Sequence, residues 1–338
     1  MNFVDVFVVG GGPAGLAAAI AARQGGLTVV VADGGVAPID KACGEGLMPD
    51  SRRAAEKIGI SISDEAGMTF RGIRFLDRSE SVAAEFPHGT GLGVRRTRLH
   101  NILTNTALSV GVELRWAAPV TGIGGIAARW IVGADGSASR VRRWANLDAR
   151  RWRSRRFAYR QHFDVAPWSE YMEIHWSEGC QAYVTPISAK EVCVALIART
   201  PELRLNEALT RYFPALSSRL KYATLASREL GAVTENTRLR SVARSNVALI
   251  GDASGSVDAI TGEGLCLIFK QADALAVAMT EGDLSSYDYA HPRLSTRAHV
   301  MGEAMLMLDR GPLVRRVAIG AMSRQPWIFK SLLAAHVA

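Results

Sequence analysis

The chain has 338 residues, 48% of them hydrophobic and 21% charged, with Lys+Arg 40 against Asp+Glu 32 and a net charge of +8. At a mean hydropathy of +0.08 this is material for a large core and two domains, with no internal repeat or low-complexity tract. Four cysteines, Cys43, Cys180, Cys193 and Cys266, stand far apart without a CxxC; that excludes a disulfide framework or zinc site and makes a reducing cytoplasm the expected compartment.

The opening run, Val4 to Asp33, reads as strand, glycine turn, helix and strand. No basic segment precedes it and glycines interrupt it, so it is read as neither a signal peptide nor a spanning helix. Val4, Val6, Val8 and Val9 make the first strand, and Gly10, Gly12 and Gly15 supply GxGxxG. That spacing allows a tight turn, close approach to a pyrophosphate and close helix–strand packing. The helix expected from Pro13 to Arg23 is rich in alanine and points its N-terminal N–H groups at an anion. Gly25 and Gly26 end it, Leu27 to Val31 form the next strand, and Asp33 stands where a carboxylate accepts ribose hydroxyls. A dinucleotide is therefore expected, of a kind this stretch does not specify.

A loop follows, then a helix over SRRAAEKIGI with Asp50 or Ser51 as its cap. Thr69 to Phe86 reads as strands with a turn near Arg78-Ser79. A strand ends at Val94, a helix runs from Thr97 to Ser109, and a strand starts at Val112. Trp130 to Val132 is a short buried strand running into Ala134-Asp135-Gly136 and a Ser-capped helix start. Phe157 to Ala198 carries four strand signals in succession, which predict an antiparallel sheet distinct from the first layer. A helical stretch covers Pro201 to Ser217. Val247 to Ile250 returns as a buried strand before GDASGSVDAITGEGL and a helix. From Tyr287 the chain is helical by composition, with Pro292, Pro312 and Pro326 as breaks.

Three separated motifs combine: GGGPAG at the start, the Asp-Gly of GADGSASRVRR, and the Gly-Asp of LIGDASGSVDAITGEGL. Together they resemble the FAD-dependent oxidoreductases of the para-hydroxybenzoate hydroxylase fold, in the geranylgeranyl reductase-like branch. The resemblance runs from Val4 to about Met279. It implies an α/β fold: a discontinuous Rossmann-like FAD domain (1–70, 93–150 and 240–282), an antiparallel-sheet substrate domain (71–92 and 151–239) and a C-terminal helical segment (283–338).

The resemblance further implies that Gly10, Gly12, Pro13, Ala14 and Gly15 lie against the FAD pyrophosphate. Asp33 and Gly34 take the adenosine side, and Arg96 stands on the FAD side after the first excursion. Asp135 and Gly136 support the pyrophosphate region, with Gly251 and Asp252 on the ribityl side. Gly262, Glu263, Gly264 and Leu265 lie by the flavin ring. Relatives carry proline where this chain has Ala259. The loop KACGEGLMP resembles the Cys-Gly loop of the reductase branch, and places Lys41, Cys43 and Gly44 over the flavin. Cys43 and Glu45 are its candidate catalytic residues, a thiol with a lowered pKa and a proton carrier. Their alternatives are a small buried residue and an acid bonded to backbone.

Arg140, Arg142, Arg143, Arg150, Arg151, Arg153, Arg155 and Arg156 crowd one region. They suit NADPH or NADH as reductant, an anionic membrane surface, or a solvated basic face with ion pairs. No aromatic stacking platform accompanies them, so nucleic acid is not expected. His88, His162 and His175 lack metal spacing, and no metal is expected. Trp168, Tyr171, Trp176 and Tyr183 either line an apolar pocket or pack the sheet. The C-terminal run either packs on the FAD domain, covers a hydrophobic tunnel, or makes peripheral membrane contact.

No acid–base constellation is apparent in the order of residues. The expected reaction is therefore NAD(P)H-driven monooxygenation of an apolar or aromatic secondary metabolite. Reduction of C=C bonds in a prenyl or lipid substrate is the alternative, and non-redox cyclisation or isomerisation on FAD a further one. Nothing in the sequence sets the oligomeric state.

Overall fold

A computed structural model describes residues 3–77, 80–148 and 150–337, with the side chains of 150–154 outside that description. The expected turn at Arg78-Ser79 and the side chains of Arg150, Arg151 and Arg153 therefore lie outside the described residues.

The first layer is a six-stranded sheet ordered Ala243–Arg244, Val247–Leu249, Ala128–Gly133, Val4–Val9, Val29–Ala32 and Glu113–Arg115. All pairs are parallel except the edge pair of Ala243–Arg244 with Val247–Leu249. Val6 pairs with Val29 on one side and Trp130 on the other. A central parallel strand is covered on both faces, which is why Val6 to Val9 is a continuous apolar run. The helix Pro13–Gln24 buries nearly every residue, from Pro13 to Ala22. Its alanines let it lie close to the sheet and to the helix Gly264–Glu281.

The second layer is a nine-stranded sheet whose path runs Gly255–Ser256, Leu230–Leu239, Arg150–Asp164, Glu191–Ala198, Cys180–Ser188, Tyr171–Ser177, Gly72–Asp77 and Glu80–Glu85. The four expected strands between 157 and 198 are all present, and each pairs antiparallel with another of the four, the first with the fourth. The sheet is not purely antiparallel: Tyr171–Ser177 pairs in parallel with Gly72–Asp77. Leu230–Leu239 was not expected as a strand. Its text, LGAVTENTRL, is polar and half-exposed, and it is held by pairing along Arg150–Arg160 rather than by apolar alternation. A three-stranded sheet of Gly46–Leu47, Gly91–Gly93 and Met68–Phe70 bridges the layers.

Two expectations about helices need correction. The helix at 49–57 begins at Pro49, with Met48 as the residue before it and no side-chain cap. Pro already suits the first helical position, and Asp50 and Ser51 are buried in the first turn. Pro292 does not break the last part of the chain: Leu284–Arg310 is one helix of 27 residues. The hydroxyls of Ser295 and Thr296 donate to the Pro292 carbonyl, the missing Pro292 N–H costs only the helical donor to the Asp288 carbonyl, and the adjacent His291 anchors the helix, buried and bonded to Gln271 and Ser254. Pro312 and Pro326 do open new helices, Pro312–Arg324 and Pro326–His336.

These last helices pack one face on the second sheet. The Phe329 ring lies 4.7 Å from Phe75, which lies 5.5 Å from Trp176. The opposite face leaves Leu313, Val317 and Trp327 exposed. Among the described residues no helix is long and apolar enough to cross a membrane.

Candidate active site

An outer cleft of about 490 Å3 opens at the C-terminal ends of the parallel strands, where open α/β sheets bind ligands. Gly10, Gly12, Pro13, Ala14, Asp33, Gly34, Asp135 and Gly136 all line it. Gly10 has φ +112 and its absent Cβ would stand 2.4 Å from the Ala134 carbonyl oxygen, so only glycine fits. A Cβ on Gly15 would stand 1.8 Å from the Gly10 carbonyl oxygen, which is the close helix–strand approach expected of that glycine. Gly12 is different: nothing lies within 4 Å of its absent Cβ, which points into open space.

Asp33 closes the turn, accepting from Gly11 N at 2.6 Å through Oδ2 and from Gly35 N at 2.7 Å through Oδ1. Each carboxylate oxygen retains a further lone pair. His100, which sequence reasoning missed, braces the same turn through Nε2 at 2.9 Å from the Gly11 carbonyl. Burial holds its imidazole below the ordinary range, so the neutral ring donates there. Asp135 caps the following helix, accepting from Arg140 N at 2.6 Å and Val141 N at 3.1 Å. Buried Arg142 then joins that loop to the Gly251–Ser254 turn, donating to the carbonyls of Ser137 at 2.7 Å and Ala253 at 3.0 Å. Two of the expected cofactor loops are therefore locked together by an arginine the sequence placed only in a basic cluster. Arg156 is likewise internal, reaching Asp258 at 3.4 Å, whereas Arg140, Arg143 and Arg155 are exposed.

Lys41, Arg96, Asp252 and Ile268 line both the outer cleft and an inner cavity of about 250 Å3. Lys41 and Asp252 face each other at 3.3 Å. Arg96 Nε is buried with no partner, a donor held at the passage with nothing in the protein to accept from it. Gly251 turns with φ +63 and Gly262 with φ +69. Gly262, Gly264 and Leu265 line the inner cavity at the start of the helix Gly264–Glu281, whose N-terminus favours negative charge. Ala259 donates its N–H to Thr234 Oγ1 at 3.1 Å, a bond that the proline the resemblance implied there would forfeit.

FAD fits this arrangement. Glycine-lined space at a helix N-terminus suits its pyrophosphate, and the orphaned Arg96 Nε gives an anionic or carbonyl oxygen a donor. Gly10 to Gly15, Asp33, Gly34, Asp135 and Gly136 would hold its adenosine and phosphate part. Arg96, Asp252, Gly262 and Gly264 are placed toward the other end.

Between Gly262 and Gly264, which line the inner cavity, the Glu263 side chain turns away: it lines neither cavity and is buried in a separate cluster with Asp50, Lys270 and Arg297. Arg297 lies 2.8 Å from Asp50 but 3.5 Å from Glu263. Burial opposes the Asp50 charge, but Cys266, Lys270 and Arg297 outweigh it and hold its carboxyl below the ordinary range. Burial pushes the Glu263 carboxyl up to about 7.

The inner cavity brings together residues far apart in sequence. Met48, Met172, Tyr183 and Ile197 give it apolar walls, with Cys43, Gly44 and Glu45 on one side. Of the sheet aromatics expected there, Tyr183 alone lines it. Trp176 packs on Phe75, Trp168 donates to Glu173 at 3.0 Å, and Arg71 and Arg74 lie over Tyr171.

Glu45 is 2% exposed and has φ +59, a left-handed conformation uncommon for a side chain of this kind. Its Oε1 accepts from Arg96 N at 2.9 Å, and its Oε2 meets His162 Nε2 at 2.6 Å. Arg160 Nε stands 3.8 Å from Oε1. Cys43 Sγ accepts from Glu45 N at 3.4 Å, so the thiol helps fix that turn. His162, which the sequence singled out only as lacking metal spacing, is part of this site and 1% exposed.

Glu45, His162 and Cys193 set donor atoms within 4.8 Å of one another. The direct Glu45–His162 hydrogen bond leaves no room for an ion between those atoms, and burial, then Glu45, push the Cys193 thiol well above its ordinary range.

Comparison with known proteins agrees with this architecture. Residues 4–127 match the family model of pyridine nucleotide-disulphide oxidoreductases. Menaquinone reductase of Mycolicibacterium smegmatis is 27% identical over 338 residues, covering 88% of this chain and 81% of that protein. Digeranylgeranylglycerophospholipid reductase 1 of Methanopyrus kandleri is 26% identical over 319 residues, covering 84% and 83%. Among solved structures, the flavin-dependent brominase Bmp2 superposes with a TM-score of 0.86 at 18% identity, covering 99% of this chain and 94% of that one. The chain has the fold of the FAD-binding oxidoreductases, the Rossmann-like cofactor layer and overlying sheet that the three sequence motifs imply, and over residues 4–127 it resembles the pyridine nucleotide-disulphide oxidoreductases.

Proposed function

We propose that this flavoprotein reduces a C=C bond in a prenyl or other lipid-like substrate held in the inner cavity. The observation that carries the reading is the buried Glu45–His162 pair beside Cys43, in a cavity whose walls at Met48, Met172, Tyr183 and Ile197 are apolar. Reduction of an unactivated double bond consumes a hydride and a proton. FAD, when bound and reduced, supplies the hydride. The protein's task is then to hold the chain in a dry cavity and to deliver the proton. Glu45 is the group placed to do so: it lines the cavity, its backbone turn is fixed by Cys43, and its carboxyl is backed by a hydrogen-bonding imidazole. Low dielectric around it strengthens each of these interactions. The names of the relatives, a menaquinone reductase and a digeranylgeranylglycerophospholipid reductase, support a prenyl-bearing substrate.

Oxygen-dependent hydroxylation, the first expectation from sequence, is the second reading. It drew on the lack of an acid–base constellation, and Glu45 with His162 removes that ground. The apolar walls of the cavity at Met48, Met172, Tyr183 and Ile197 still suit it. NADPH or NADH is the proposed reductant, with exposed Arg140 at the outer cleft as its phosphate partner. Anaerobic incubation of the reduced enzyme with prenyl lipids separates the readings. A product gaining two hydrogens supports the first; turnover only in air, with gain of an oxygen atom, overturns it in favour of the second.

A further inference from the structure

The described residues expose fifteen large hydrophobic side chains, and seven of these fall between 300 and 332, about a tenth of the chain. Scattered apolar residues on a surface need no explanation, but such a concentration does. Helical spacing puts them on the outer side of three successive helices. Val300 and Met307 lie two turns apart on Leu284–Arg310, with exposed Ala304 between them. Leu313, Val317 and Ala321 follow at one-turn intervals on Pro312–Arg324, with Val314 beside them. Leu313 is 74% and Val317 73% exposed, while Arg315, Ile319 and Met322 on the opposite side are buried. On Pro326–His336, Trp327 is 64% exposed, and its indole N–H is satisfied by Gln325 Oε1 at 2.9 Å.

The charges around this face have one sign. From Arg310 to Ala338 the sequence holds five Lys and Arg and no Asp or Glu. Arg315 is turned inward, donating to Asp77 at 3.1 Å. The other four, Arg310, Arg316, Arg324 and Lys330, are exposed. Asp309, just before this stretch, is buried and held by Arg199 at 2.9 Å. An apolar strip bordered by long cationic side chains and carrying an amphipathic Trp is the pattern of helices lying in a lipid headgroup layer. A second copy of the chain fits it poorly. In a two-fold contact the patch meets itself, setting cation against cation with no acid to pair them.

We propose that this face docks the protein on a membrane surface rich in anionic lipid. Its apolar side chains enter the acyl boundary, and its arginines and lysine meet the lipid phosphates. The helices lie in the plane of that surface; among the described residues none is long and apolar enough to cross it. Their inner side faces the site. Met305, Ile319, Met322 and Phe329 belong to one buried apolar cluster with Met48, Met172, Tyr183 and Ile197 of the cavity wall. One layer of helices therefore carries the cavity's apolar cluster on its inner side and the exposed strip on its outer side. Docking is measured without turnover, so it stands or falls separately from the assignment of Glu45 as proton donor.

The test is co-sedimentation of the whole chain, saturated with FAD, with vesicles of phosphatidylcholine alone or mixed equally with phosphatidylglycerol. Binding to the anionic vesicles is expected, at least about tenfold tighter than to the neutral ones and weakened by salt. Arg316→Gln combined with Arg324→Gln should loosen it about thirtyfold. Leu313→Gln, Val317→Gln and Trp327→Gln together should abolish it with little change in melting temperature, because all three side chains are exposed. Lipids brominated on the acyl chain should quench part of the tryptophan fluorescence of the parent, and this quenching should vanish in Trp327→Phe. Failure to bind the anionic vesicles overturns the proposal. So does full binding by the triple variant, which would reduce the contact to charge attraction alone. A parent that is dimeric by light scattering and monomeric after the triple substitution overturns it as well, by giving the face to a second copy.

Discussion

Replacing Glu263 by glutamine should stabilise the protein in mildly alkaline solution and have little effect in acid. Glu263 is 4% exposed, its Oε2 has no partner, and its Oε1 lies 3.5 Å from Arg297 and 3.8 Å from His336 Nδ1. Arg297 is drawn instead to Asp50 at 2.8 Å, whose own charge disfavours a second carboxylate nearby. Burial dominates, and the carboxyl is pushed from its ordinary 4.5 up to about 7. The folded state therefore binds this proton more tightly than the unfolded chain. Its contribution is present in full below the ordinary value and is lost as pH rises through about 7. The displacement corresponds to about 3 kcal/mol once the group is ionised in both states.

Glutamine keeps the shape and removes the titration. Thermal unfolding of both proteins, saturated with FAD, reads the difference. At about pH 8 the variant should melt several degrees higher, and at about pH 5 the gap should shrink below about 1 kcal/mol. His291 and His336, both pulled down to about 4 by burial, add stability that grows with pH up to their ordinary range. They are present in both proteins and leave the sign of the difference intact. An equal gap at both pH values, or a variant less stable in alkali, would refute the assignment of a buried, reluctantly ionised carboxyl.

The glycine turn gives a paired prediction. Gly15→Ala drives a methyl into the Gly10 carbonyl oxygen and should prevent folding. Gly12→Ala meets nothing in the protein and should fold with unchanged melting temperature in the apo form, yet lose FAD affinity by fluorescence titration. Normal FAD binding by Gly12→Ala would show that the cofactor does not approach this turn. Cys43→Ala removes the acceptor that holds the Glu45 N–H. It should leave FAD bound and lower turnover, and unchanged turnover would reduce Cys43 to a packing residue.

What could be read from the sequence was local. The GxGxxG turn, its alanine-rich helix and the acid at the second strand's end are contiguous, and each answers to a steric or electrostatic demand within about thirty residues. The consecutive strands from 157 to 198 showed themselves by β-branched and aromatic enrichment. Glu45 and His162 were opaque as a pair because 117 positions separate them and they belong to segments of different sheets, brought together only by tertiary packing. Glu263 was assigned to the flavin side from its neighbours Gly262 and Gly264. A glycine-rich turn carries backbone to a cavity without fixing where the side chain between them points, and this one turns toward Arg297. The strand Leu230–Leu239 was invisible because its stability comes from its partner's backbone.

The measurement that tests the central claim most directly is rapid mixing, without oxygen, of the reduced enzyme with a prenyl lipid, following re-oxidation of the cofactor by absorbance. The account predicts re-oxidation on mixing with lipid alone, with a product gaining two hydrogens, slowed at least about 100-fold in Glu45→Gln. A cofactor that stays reduced until oxygen is admitted, or a Glu45→Gln variant that reacts as fast as the parent, would contradict it.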